Sequence, residues 1–180
     1  MEIYFDGITL RPWSISDAVQ LAKLANNKNI ADNLRDGFPF PYTLQDAKNW
    51  LELILPENSP AKFFAIIVDK KLAGSIGLIT KTDIYRKNFE TGYFLAEEYW
   101  GKGIATKAIK SATSYAFKEF DIVRIYAEPF AGNIASRRVL EKSGYKLDAV
   151  LKNYVIKNGI IKDSCIYSVL REEFKYFIES

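Results

Sequence analysis

The sequence predicts an α+β protein, an αβ sandwich in which a mixed, mostly antiparallel sheet is flanked by helices. Three observations carry that prediction. Phe63–Val68, 72–80 and 89–95 are successive β-rich runs, the first two separated by a hairpin-length connection, Asp69-Lys70-Lys71. Ala105, Ala108, Ile109, Ala112 and Ala116 then recur at helical spacing on one face. Near the end, two β-rich runs over 145–156 and 160–170 flank Asn158-Gly159, a turn whose two residues both tolerate positive φ.

The remaining elements follow in chain order. Ile3-Tyr4-Phe5 and Ile8-Thr9-Leu10 read as short strands on either side of an Asp6-Gly7 turn. Ser14 and Asp17 have capping-box spacing, which opens a first helix that runs to Leu24 and that Asn26-Asn27-Lys28-Asn29 ends. Thr43 and Asp46 repeat the signal before a helix over 47–55, whose Trp50, Leu51 and Ile54 share a face; Pro56 and Pro60 close that region. Between the two helices, Phe38-Pro39-Phe40-Pro41-Tyr42 is stiff and ring-rich, and reads as either a substrate-pocket wall or a packed surface loop. After the meander, helices are expected over 107–117 and 135–142, a strand over 123–128, and a closing helix over 171–178. With no repeats, linkers or low-complexity segments, one domain over residues 1–180 is expected.

Composition removes several function classes. The chain has 180 residues, 48% hydrophobic and 26% charged, ordinary proportions for a globular protein that buries most of its apolar surface. A net charge of +3 without a basic stripe argues against nucleic acid; Lys152, Lys157 and Lys162 are spread around the last hairpin as a solvated face. Cys165, the single cysteine, reads as a small core residue, and one thiol builds no intrachain disulfide. With no histidine, Ser-His, Cys-His and His-based zinc chemistries fall away. No apolar run approaches the ~18–20 residues that span a bilayer, and the N-terminus lacks a basic leader, so a cytoplasmic protein free of membrane is expected.

Tyr99-Trp100-Gly101-Lys102-Gly103-Ile104-Ala105-Thr106 lies between a strand-like run and a helix-like run. Two glycines there let main-chain N–H groups approach a ligand, and the following helix adds unpaired donors and a positive dipole end. Such a junction seats a phosphate or pyrophosphate, or else the glycines only shape a turn. A Walker loop is excluded because Ile104-Ala105, not Lys-Ser/Thr, follow Gly103. A dinucleotide fingerprint is excluded by the missing third glycine and by the loop's place past mid-chain; Asp121 lies near the acidic offset but in a turn.

The G-x-G-hydrophobic-Ala loop is followed about 30 residues later by Gly132-Asn133-Ile134-Ala135-Ser136-Arg137-Arg138-Val139-Leu140-Glu141-Lys142-Ser143-Gly144-Tyr145. This pairing resembles the GNAT superfamily of N-acetyltransferases. The stretch from Asn133 resembles the Asn-x-x-Ser…Leu-Glu-Lys-x-Gly-Phe/Tyr segment of its ribosomal-protein N-terminal (RimJ/RimL-type) branch. Leu10-Arg11-Pro12-Trp13, Asp17-Ala18 and Lys157-Asn158-Gly159 are similar to that branch too. The likeness covers about residues 8–170.

The resemblance implies a GNAT-like fold and an enzyme that moves an acetyl group from acetyl-CoA, its co-substrate, to a primary amine. The acceptor would be a protein N-terminus or a small-molecule amine, attacking directly in a ternary complex, in a monomer or homodimer and without metal. Main-chain N–H groups of Gly101, Lys102, Gly103, Ile104, Ala105 and Thr106 would hold the pyrophosphate. Backbone groups of Phe94 and Leu95 would bond the pantetheine, which in the family fold lies where two strands part. Lys102 adds a charge outside the cradle or is simply solvated; Asn133 touches the cofactor, caps its helix, or does both.

Acetyl transfer needs a proton acceptor for the ammonium, donors for the developing oxyanion, and a proton source for the leaving thiolate. Glu90 resembles the Glu of the family's Glu-x-Gly-Tyr strand motif and would relay the proton through water; the alternative is a surface carboxylate paired with Lys87 or Arg86. Many members carry a tyrosine after the leucine of the second motif, where Glu141 stands here, and Ser136 is the alternative donor or a plain cap residue. Trp100 replaces the Gln or Arg of many members and reads as a packing residue. These departures leave one competing class, a non-catalytic acyl-CoA-binding module.

Overall fold

In the computed structural model, which describes residues 2–56 and 60–174, local capping sets where the first helices begin. Ser14 and Asp17 form the reciprocal box their spacing predicts, with Asp17 accepting from Ser14 N–H at 2.9 Å. The box opens one 3₁₀ turn, Ile15–Asp17, that runs straight into α1, Ala18–Ala25. The asparagine-rich stretch ends α1 but also starts a second helix, α2, Lys28–Ala31. Asn27 Oδ1 accepts from the N–H groups of Asn29 at 2.8 Å and Ile30 at 3.4 Å, so a helix stop doubles as the next cap. Thr43 and Asp46 make the second box, at the start of α3, Leu44–Ile54.

The strands are β1 (Ile3–Phe5), β2 (Ile8–Pro12), β3 (Phe63–Val68), β4 (Lys71–Thr80), β5 (Asn88–Leu95), β6 (Arg124–Ala127), β7 (Lys146–Lys157) and β8 (Ile160–Leu170). They form an eight-stranded sheet in the order β1-β2-β3-β4-β5-β6-β8-β7. Neighbours run antiparallel at β1–β2, β2–β3, β3–β4, β6–β8 and β7–β8. β5 and β6 are parallel, paired from Asn88↔Arg124 to Glu90↔Tyr126. A parallel pair needs a crossover, supplied here by α4, Ile104–Glu119. α4 starts three residues before the predicted onset at 107, because Gly103 carbonyl already accepts Lys107 N–H at 3.1 Å. α5 (Ile134–Lys142) and α6 (Arg171–Phe174) complete the helices; the part of the predicted closing helix beyond Phe174 lies outside the described residues.

By contacts the chain divides into two units. The first comprises Met1–Gly77 and Tyr93–Ala108. Its core gathers Trp13, Leu21, Ala25, Tyr42, Leu51, Ile54 and Ala65. α3 buries Ala47, Leu51 and Ile54, so of the expected face Leu51 and Ile54 are buried, and each fully buried Leu or Ile contributes about 1.5–3 kcal/mol. Trp50, half-buried on that helix, meets Trp13 edge-on at 5.4 Å and Phe63 at 6.2 Å.

The second unit comprises Leu78–Gly92 and Ile109–Ser180. Ile125, Leu140, Cys165, Tyr167 and Val169 are fully buried there, which places the lone thiol in the core as its apolar surroundings predict. Phe120 meets Phe89 at 5.0 Å and Tyr115 at 5.9 Å, and Thr113 shares a buried 2.7 Å hydrogen bond with the Tyr145 hydroxyl. Strands β4 and β5 and helix α4 contribute residues to both units. Among the described residues no helix is long and apolar enough to cross a membrane, and no cluster of three or more Cys, Asp or Glu is placed to hold a metal ion.

Candidate functional site

In the first unit, the strand-to-helix junction is built by local hydrogen bonds. Tyr99 N–H donates to Ala96 carbonyl at 2.9 Å and Trp100 N–H to Glu97 carbonyl at 3.1 Å, closing one 3₁₀ turn, Glu97–Tyr99. Glu97 is also gripped from α2: Asn27 Nδ2 donates to one carboxylate oxygen at 2.7 Å and Asn29 Nδ2 to the other at 3.1 Å. The chain then turns through Gly101 (φ 72°) and Gly103 (φ 76°), both in the left-handed region that L-residues with a Cβ avoid.

Residues 100–103 are exposed, and a Cβ built on Gly101 or Gly103 would meet nothing within 4 Å. The glycines therefore serve backbone conformation, and the space before them is open to a ligand. The 16-residue α4 begins at once, so the positive end of its dipole lies at the glycine turn. Lys102 Nζ lies 5.8 Å from the Tyr99 ring centroid, and Lys107 pairs with Asp6 at 3.0 Å. This arrangement fits an anion.

Leu95 is buried and Phe94 half-buried at the end of β5. Phe38 meets Phe94 at 5.3 Å and Tyr42 at 4.8 Å, so the stiff aromatic segment is anchored on the strand that leads to the loop. Tyr42 N–H donates to Asn26 Oδ1 at 3.0 Å, and burial, with the charge of Asp46 added, pushes the Tyr42 phenol up to about 12.

In the second unit, Glu90 is 6% exposed, and its Oε2 takes a 2.6 Å ion pair from Lys81 and a longer 3.4 Å hydrogen bond from the Tyr126 hydroxyl. Lys81 also sits 5.5 Å from the Tyr126 ring centroid. Burial alone would lower the Lys81 pKa; bonds to Glu90 and Tyr126 and their charge outweigh it and raise the ammonium above its ordinary value. Lys87 and Arg86, the partners expected for Glu90, are engaged elsewhere: Lys87 pairs with Asp121, and Arg86 donates to Asp83 carbonyl at 3.0 Å. Lys87 lies in the turn before β5, outside the strand that carries Glu90.

Asn133 caps α5, its Oδ1 accepting Ser136 N–H at 3.1 Å. Ser136 thus enters the cap through its main chain. Further along α5, Arg137 Nε donates to the Tyr167 hydroxyl at 3.1 Å, which in turn donates to Glu141 at 2.8 Å. Burial raises the Tyr167 phenol; Arg137 opposes this and Glu141 reinforces it. Lys81, Tyr126 and Tyr167 escaped the sequence reading, since no local motif marks residues brought together by strand register.

A family model described as an acetyltransferase (GNAT) domain matches residues 8–146. The uncharacterized N-acetyltransferase YoaA of Bacillus subtilis (strain 168) is 35% identical over 102 residues, 57% of this chain and only 57% of that relative's length. The putative ribosomal N-acetyltransferase YdaF of the same organism is 29% identical over 174 residues, 93% of each chain. Among solved structures, the microcin C7 self immunity acetyltransferase MccE in complex with acetyl-CoA and AMP superposes with a TM-score of 0.80 at 27% identity, over 92% of this chain and 93% of that one.

Fold and loop define a mixed α/β protein with an open glycine turn at a strand-to-helix junction. With a family match over most of its length, the chain belongs to the GNAT acetyltransferase family and is an N-acetyltransferase.

Proposed function

We propose that this protein transfers the acetyl group of acetyl-CoA to a primary amine by direct attack in a ternary complex, with a protein N-terminus as the first acceptor to test and small-molecule amines next. The observation that carries the reading is the open loop through Gly101 and Gly103 at the start of α4, with positive φ at both glycines. That loop suits the pyrophosphate of CoA, held by main-chain N–H groups from Gly101 to Thr106. The name of YdaF, a putative ribosomal N-acetyltransferase, supports the choice of a protein N-terminus.

Bound acetyl-CoA supplies the acetyl thioester; the chain supplies position and proton handling. Main-chain groups of Phe94 and Leu95 orient the pantetheine arm. Asn133 Oδ1 is committed to its cap, so its amide NH₂ is the part that reaches the cofactor. Glu90 draws a proton from the acceptor ammonium through water, with the Lys81 ammonium 2.6 Å from its carboxylate. Ser136 Oγ–H donates a hydrogen bond to the departing sulfur and relays it a proton, taking one from water in the same step so that no alkoxide is left. Its replacement by Ala leaves the Asn133 cap intact, because the cap uses Ser136 main chain.

The experiment is CoA release from acetyl-CoA across a panel of N-terminal peptides, polyamines and amino-acid amines. Release with at least one amine is expected, reduced in Ser136→Ala with little change in acetyl-CoA affinity. No release with any amine overturns the proposal, and full turnover in Ser136→Ala removes that residue's role.

A further inference from the structure

A bulge in β4 and the glycine beside it set the main chain at the end of β5. The β3–β4 register passes from Ile66↔Gly74 to Ile67↔Leu72, which leaves Ala73 as the extra residue. Ala73 carbonyl accepts Ala96 N–H at 2.8 Å. Next to it, a Cβ on Gly74 would lie 2.1 Å from the Phe94 carbonyl oxygen, 2.8 Å from Leu95 Cδ2 and 3.0 Å from Leu95 Cα. Gly74 is not among the positive-φ glycines, so the position requires the missing side chain and not a special backbone conformation. In the same stretch, Trp100 Nε1 donates to Leu95 carbonyl at 2.9 Å. Three consecutive residues, 94–96, are thus fixed from outside β5.

We infer that Gly74 and Trp100 are positioning residues for the cofactor strand, setting the Phe94 and Leu95 main chain that receives the pantetheine arm of CoA. The inference rests on the acetyl-CoA reading above. A carbonyl and the following N–H share one rigid plane, so displacing Phe94 carbonyl turns Leu95 N–H with it. A methyl at position 74 has backbone in its way, not the end of a flexible side chain, and the strand yields. Trp100 then pins the other end of Leu95 by engaging its carbonyl, which leaves the amide groups as the ligand-facing part.

The test compares wild type, Gly74→Ala and Trp100→Phe by calorimetry of CoA binding, by KM for acetyl-CoA and for the amine separately, and by thermal melting. Gly74→Ala is expected to weaken CoA and raise the acetyl-CoA KM on the order of tenfold, leaving the amine KM unchanged. Trp100→Phe keeps an aromatic ring at this half-exposed position but removes the indole N–H together with the second ring; it is expected to shift the same two quantities by about threefold at near-wild-type melting. If Gly74→Ala does not fold, Trp100→Phe decides. Folded variants with wild-type CoA affinity and acetyl-CoA KM overturn the inference alone. Wild-type protein that binds no CoA overturns the acetyl-CoA reading and this inference with it.

Discussion

Glu90 and Gly103 show how differently single residues act in this chain. Gly103 has open space around it and a φ of 76°, so a side chain there costs about 1–2 kcal/mol of backbone strain without a clash. Gly103→Asp is therefore expected to fold and to bind no CoA, because a carboxylate would stand where the anion sits; Gly103→Ala, strained but uncharged, should keep part of the affinity. Calorimetry on both variants checks this, and retained affinity in Gly103→Asp removes the loop from the site. Glu90 is buried against Lys81, whose raised pKa keeps its contribution to stability below its ordinary value of 10.5 and loses it only as pH rises through the folded value. The pair hence persists across any neutral assay. Glu90→Gln is expected to slow turnover about 10²-fold near pH 7, with the deficit shrinking at high pH where the amine is already neutral. A variant that matches wild type across the pH–rate profile leaves Glu90 a structural partner of Lys81.

At the scale of elements, the two capping boxes and the Asn158-Gly159 turn were legible because their signals lie within four residues of one another. The glycine loop was legible for the same reason. The second helix at Lys28 was not, since a run of asparagines signals a stop more strongly than a start. Lys81 beside Glu90 depends on the turn between β4 and β5, and strand register is not written locally. Gly74 carried a readable mark, a glycine inside a strand, but what approaches it comes from 20 residues away. The first box also has an electrostatic consequence. Asp17 is buried, which by itself would raise its carboxyl; two 2.8 Å bonds from Arg11, the Ser14 N–H and the Arg11 charge outweigh this and hold it below its ordinary 3.8. A depressed folded pKa gives stability that is present above the ordinary value and lost as pH falls through the folded one. Asp17→Asn should cost about 1.5–3 kcal/mol at pH 7, with the gap to wild type narrowing below pH ~4. Urea midpoints at pH 7 and pH 3 measure it; an equal gap at both would mean that Asp17 stabilises only by shape.

At the scale of the whole molecule, two contact-defined units are threaded by the same elements. β4 and β5 pass through both, and α4 has its first turn in one and its remainder in the other. Because β4, β5 and α4 each run from one unit's residues into the other's, the chain is expected to unfold in one transition. If CoA binds the folded chain alone, as proposed, a concentration of about 100 times Kd is expected to add about 2.7 kcal/mol to the stability. For a chain of this length each kcal/mol moves Tm by about 2–4 °C, so the whole transition should rise by roughly 5–11 °C. Scanning calorimetry with and without CoA reads both quantities at once: a calorimetric enthalpy equal to the van't Hoff value, and one peak that shifts intact. Two resolved peaks, with CoA moving only one of them, would show the units unfolding independently and would confine cofactor binding to one of them.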